Sequence, residues 1–187
     1  MKSLLRGVAV GLAVALSAQA AQAQAGVSLG IGGGAVVPTG TFGDGLGTGW
    51  SAMVVARVKP AMSPVGLQLD GFYDRFSLDG GIDGHSRIIG TTADAVFAMP
   101  GALVKPYLLG GIGIYNGKTT VGNTSSPSDS KFGLNAGAGL DFGLGSASVF
   151  AEARMHAILK GTVDPNTLDE KTAYMMPLSV GLRWSLR

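Results

Sequence analysis

From Val149 to Leu159 the chain reads VFAEARMHAIL, with a carboxylate, a guanidinium and an imidazole threaded at alternate positions through an apolar run. At helical steps of about 100° per residue, Glu152 and His156 would share one side with Arg154 nearly opposite, leaving no apolar face. At the two-residue period of a strand the pattern resolves. Phe150, Glu152, Arg154, His156 and Ile158 take one face, and Val149, Ala151, Ala153, Met155, Ala157 and Leu159 take the other. The same alternation predicts eight strands: Val27 to Val37, Trp50 to Val58, Val65 to Phe76, Ser86 to Met99, Lys105 to Asn116, Lys131 to Phe142, Ala147 to Leu159 and Tyr174 to Leu186. Each is near the length that crosses a bilayer when tilted.

The predicted connections alternate in length. Long polar loops follow the first, third, fifth and seventh strands (PTGTFGDGLGTG, LDGGIDGH, GKTTVGNTSSPSDS, KGTVDPNTLDEKTA), and short turns follow the second, fourth and sixth (KPAMSP, PGALV, GLGS). With the N-terminus in the periplasm, every long loop falls outside and every short turn inside, as in an outer-membrane barrel. A soluble β-sandwich or barrel is the competing architecture, because alternation alone does not say whether the apolar face meets a core or lipid.

Aromatic placement favours lipid. On the apolar face Trp50, Tyr73, Phe132 and Tyr174 stand at the outer strand ends, and Phe97, Phe142 and Trp184 at the inner ends. Two aromatic girdles are expected where rings meet the two headgroup layers. The opposite face gathers Arg57, Arg154 and Arg183 with Asp70, Asp94 and Glu152, and Asp141 lies toward the inner end. Eight strands leave an interior just wide enough for side chains to fill. These six groups are therefore expected to form an internal ion-pair network, since desolvated charges must be paired. The fifth strand, KPYLLGGIGIYN, hides its face because glycine falls on both parities, and Phe72 and Phe76 break the alternation of the third.

Composition narrows the function classes. Residues 1–25 carry Lys2 and Arg6, an apolar stretch from Gly7 to Leu16 and small residues ending Ala23-Gln24-Ala25, the three parts of a secretory signal peptide cut after Ala23 or Ala25. Residues 26–187 are then expected to be one barrel domain. The leader holds two of the 14 Lys and Arg and none of the 12 Asp and Glu, so the mature chain balances at 12 against 12. No nucleic-acid partner is suggested. Absence of cysteine from an exported chain argues against a disulfide scaffold and a lipoprotein.

Motifs that mimic chemistry fail on context. GVSLG (Gly26 to Gly30) matches a hydrolase elbow string but lacks the strand before it and the helix after it. The clusters GIGGG and GGIGIYNG lack the helix that would hold a phosphate, so close strand packing accounts for them. His85 and His156 have no second ligand at metal-binding spacing, and no cofactor is expected. His156 beside Glu152 or Asp94 could pose as an acid-base pair, although a structural role is favoured. DPNTLDE (Asp164 to Glu170) is rich in carboxylates but lacks the spacing of a calcium loop, and Asn123-Thr124-Ser125 fits a glycosylation string that would mean little in a bacterial context.

The strings KPYLLGGIGIYN, KFGLNAGAGLDFGLGSASVFAEARMH and MPLSVGLRW, in that order, resemble the second half of the small OmpA/OmpX-type, porin-like outer-membrane β-barrel family. The likeness is close over about the last 80 residues and a matter of pattern before them. It implies an all-β, eight-stranded antiparallel up-and-down transmembrane β-barrel with a packed polar interior and variable external loops. It also implies a monomer in a Gram-negative cell envelope, in contact with outer-membrane lipid and the outer-membrane assembly machinery. Two departures stand out. The chain ends Trp184-Ser185-Leu186-Arg187 where family chains usually end on an aromatic residue, and no peptidoglycan-binding domain is expected. The lipid A deacylases of the outer membrane use a His-x-Ser element, which His156-Ala157-Ile158 does not match.

The reading is thus a structural or surface-interaction protein without catalysis, with an extracellular ligand to be sought at the long loops. A narrow channel and a lipid-modifying enzyme are the alternatives.

Overall fold

A computed structural model of the chain describes residues 25–40, 43, 45–61, 63–78, 84–101, 103–122, 124–159 and 172–186. Nearly all of the expected leader lies outside the described residues, as do Asn123 and the acidic stretch from Asp164 to Glu170. Among the described residues nine strands follow in order: β1 (Ala25–Thr39), β2 (Gly49–Pro60), β3 (Val65–Ser77), β4 (Gly84–Ala98), β5 (Val104–Val121), β6 (Thr124–Ser125), β7 (Asp129–Leu144), β8 (Ala147–Leu159) and β9 (Thr172–Leu186). The two-residue β6 folds back on the end of β5, with Ser126 donating its backbone N–H to Thr119 at 2.9 Å.

The eight long strands close into a barrel. Neighbours run β4-β3-β2-β1-β9-β8-β7-β5, and β5 pairs back onto β4. Every ladder is antiparallel, and β1 seals against β9 from Val27↔Leu186 to Thr39↔Tyr174. Closure leaves no unpaired barrel edge. It puts the turns β2–β3, β4–β5 and β7–β8 at one end with the start of β1 and the end of β9, and the four longer connections at the other. The tightest turn, Gly145-Ser146, needs a positive φ at its first residue, and Gly145 supplies it at 72°.

Alternation then assigns the faces. Apolar side chains line the outside: Leu67 is 68% exposed, Ile112 60% and Val180 59%. A water-soluble chain rarely presents so continuous an apolar belt, whereas a lipid-facing barrel wall requires one. The fifth predicted strand is resolved by closure. Tyr107, Leu109, Gly111, Gly113 and Tyr115 of β5 point inward, and Leu108, Ile112 and Ile114 point out. Gly139 on neighbouring β7 leaves the room that Tyr107 fills, because a Cβ there would collide with the tyrosine ring.

Phe72 and Phe76 do not break the alternation of β3. Both are on its inward parity, and Phe76 is fully buried. They belong to an apolar cluster at the loop end of the interior with Val36, Ile88, Tyr115, Ile158, Ala173 and Met175. A smaller cluster of Val96, Tyr107 and Leu109 lies toward the turn end. The interior is therefore stratified, with charged groups between these apolar clusters and again toward the turn end.

Candidate functional site

The charged layer is built on the inward positions of β2, β3, β4, β7, β8 and β9, where strand register brings together residues distant in sequence. Arg154 of β8 is its hub. Its Nη2 lies 2.5 Å from Asp70 Oδ2, its Nη1 donates to Asp94 Oδ2 at 2.9 Å, and its Nε donates to Glu152 Oε1 at 2.5 Å. Those three carboxylates and the guanidinium are all buried. Neutral donors take up remaining oxygens. Tyr107 donates its hydroxyl to Glu152 at 2.8 Å, Asn135 donates Nδ2 to Asp94 at 2.7 Å, and Thr92 donates to Asp94 at 3.0 Å. A guanidinium forked among carboxylates and backed by such donors is the arrangement that offsets desolvation.

Arg57 and Arg183 lie nearer the turn end and do not join that hub by ion pairs. Both take Asp141 of β7, Arg57 Nη1 at 2.9 Å and Arg183 Nη1 at 2.6 Å. The expected six-membered network is thus two assemblies, with Asp141 as the shared acceptor of the second. Height along the barrel separates them, and Gln68 joins them. It accepts from Arg57 Nε at 2.7 Å and donates Nε2 to Asp70 at 3.0 Å. The two lower guanidiniums also lie over aromatic rings, Arg57 4.3 Å from the Tyr107 centroid and Arg183 4.8 Å from that of Phe150.

His156 does not pair with Glu152 or Asp94. Its Nδ1 is hydrogen-bonded to the Tyr115 hydroxyl at 2.8 Å, and its ring packs against Phe72 and Tyr115 with centroids 5.4 and 5.6 Å away. Asp74 was not singled out by the sequence, yet it is buried across the ladder from Ser51. Its carboxylate has no ion-pair partner among the described residues, beside a pocket of about 20 Å³ lined by Ser51, Phe72, Arg154, His156 and Ser179. That volume accommodates about one water molecule. No grouping of three or more metal-ligating side chains occurs among the described residues.

The aromatic side chains lie at the two strand ends that alternation assigned. Trp50, Tyr73, Phe132 and Tyr174 stand toward the loop end, with the Trp50 and Tyr73 rings 5.4 Å apart, and Phe97, Phe142 and Trp184 toward the turn end. No described helix is long and apolar enough to cross a membrane.

Comparison with known proteins agrees with this geometry. No curated protein matches the chain. Among solved structures, Neisserial surface protein A superposes with a TM-score of 0.68 at 19% identity, covering 86% of this chain and 97% of that one. A major outer membrane protein of Thermus thermophilus gives 0.55 at 12% identity over 87% and 99%. Ail, the attachment invasion locus protein of Yersinia pestis, in complex with the heparin analogue sucrose octasulfate, gives 0.51 at 23% identity over 86% and 98%. These likenesses concern the fold. The outer membrane protein beta-barrel domain matches residues 7–184, nearly the whole length, and the chain belongs to that outer-membrane family.

Proposed function

We propose that this protein is a non-catalytic outer-membrane barrel whose filled lumen makes it a rigid stave, leaving structural support and surface contact through its long loops as its work. The observation that carries the reading is the Arg154 hub, which reaches from β8 to β3 and β4 and draws their carboxylates together inside the barrel. The apolar cluster around Phe76 and Tyr115 lies between that hub and the loop end. Layers of that kind support a lumen closed to a continuous water path. A non-catalytic role is supported by the setting of His156, whose ring is held by Tyr115 and Phe72 rather than by a carboxylate or a nucleophile. Export by the leader, assembly by the outer-membrane machinery and a monomeric state belong to the same reading.

The test is conductance of the folded chain in a planar bilayer. A closed lumen gives no discrete openings, and Arg154→Ala, which breaks the hub, is the variant in which openings would first be sought. Discrete openings from the unaltered chain would replace this reading with that of a narrow channel. Turnover of phospholipid or lipid A by the purified protein, abolished by His156→Ala, would replace it with that of an enzyme.

A further inference from the structure

Every described carboxylate on the barrel strands sits at an inward position, and among the described strand residues only three formally charged side chains lie on the outward parity: Arg75 of β3, Arg87 of β4 and Lys118 of β5. They are not scattered. The ladders place Arg75 opposite Arg87, and Arg87 opposite Lys118, so the three cations form one row across adjacent strands at the loop end. None has an ion-pair partner among the described residues. Like charges directly opposite each other on a sheet repel, so such a row is a net cost unless an anion lies between its members.

The row has a fixed height. Trp50 stands opposite Arg75, and Tyr73, two residues back along β3, packs its ring 5.4 Å from that of Trp50. Amphipathic rings mark the headgroup boundary of a bilayer, and cations at the same rim lie level with lipid phosphates. Guanidinium groups match phosphate geometrically, with two donors to two oxygens, and an ammonium adds a point charge.

We propose that Arg75, Arg87 and Lys118 form a binding site on the outer wall of the barrel for the phosphorylated headgroup of an outer-leaflet lipid. The lipid would lay its chains on the apolar wall beneath the row and its phosphates among the three cations. The proposal rests on the outward face meeting lipid, and is independent of whether the lumen conducts.

Native mass spectrometry of the detergent-folded chain, titrated with diphosphorylated lipid A, tests it. One lipid should be retained by the unaltered protein. Substituting Arg75→Gln, Arg87→Gln and Lys118→Gln together should weaken retention about 100-fold, at about fivefold per cation. Lipid A stripped of both phosphates should not be retained. Equal retention by the triple variant, or of the dephosphorylated lipid, would overturn the proposal. Binding of soluble inositol hexakisphosphate as tight as that of the lipid would reassign the row to soluble polyanions and overturn it equally. A heat-dependent shift in gel mobility checks that each variant is a folded barrel. Should the triple variant not fold, Arg87→Gln alone should lose about fivefold, as the central cation of the row. Protein that stays soluble without detergent would instead dismiss the membrane reading itself.

Discussion

Arg154 sits at the centre of the lumen with three carboxylates on one guanidinium, and its removal strands all of them. Breaking a buried ion pair from one side costs about 3–5 kcal/mol, because the remaining charge keeps its desolvation penalty. Arg154→Met in a lipid-inserted barrel is therefore expected to lower unfolding free energy by about that amount, read from the urea midpoint. Asp74→Asn is the contrasting case. That carboxylate is buried and has no ion-pair partner among the described residues, so its neutral isostere should leave the midpoint unchanged or raise it. A large loss at Asp74 would mean that the charged layer is wired differently. Residue identities in this layer were legible from alternation, but partners were not. Asp141 meets Arg57 and Arg183, 84 and 42 positions away, because of strand adjacency and register, neither of which periodicity reports.

At the scale of the strand, glycine decides what the lumen can hold. Tyr107 reaches Glu152 only because Gly139, on the next strand, has no Cβ to meet its ring and hydroxyl. Gly139→Ala should displace Tyr107, break that hydrogen bond and cost about 1–3 kcal/mol, the range for overpacking a filled interior. Gly143→Ala, four residues along β7 in open space, should be near neutral by the same urea assay. Comparable losses at both positions would point to backbone propensity rather than packing. The same glycines explain why β5 could not be assigned a face from sequence. Gly111 and Gly113 are inward and Gly110 is outward, so the polarity contrast vanished where small residues were needed. Phe72 and Phe76 misled in the other direction. A polar face was expected to stay polar, yet the end of a barrel interior near its loops buries side chains and accepts an apolar layer.

For the whole molecule, the decisive question is which solvent each face meets. The eight long strands were legible from alternation and loop parity, their up-and-down order and closure were implied by the family resemblance, and family membership places the barrel in an outer membrane. The short β6 was not anticipated, since two residues pairing inside a polar loop leave no periodic trace. Ile112 offers the cleanest test of the outward face, being 60% exposed at mid-height on β5 and flanked by Ala93 and Leu134 on the neighbouring strands. On a water-soluble barrel, Ile112→Arg would relieve an exposed apolar position and be neutral or helpful. On a lipid-facing wall the same arginine costs about 2–4 kcal/mol near the bilayer midplane and about 0–1 near an interface. The expected outcome is a marked loss of stability at Ile112 in phospholipid vesicles, with a much smaller one for Ser130→Arg, which lies outward near the loop end of β7. That depth dependence arises from the hydrocarbon rather than from side-chain contacts, so equal effects at both positions would mean that the apolar belt does not lie in a membrane.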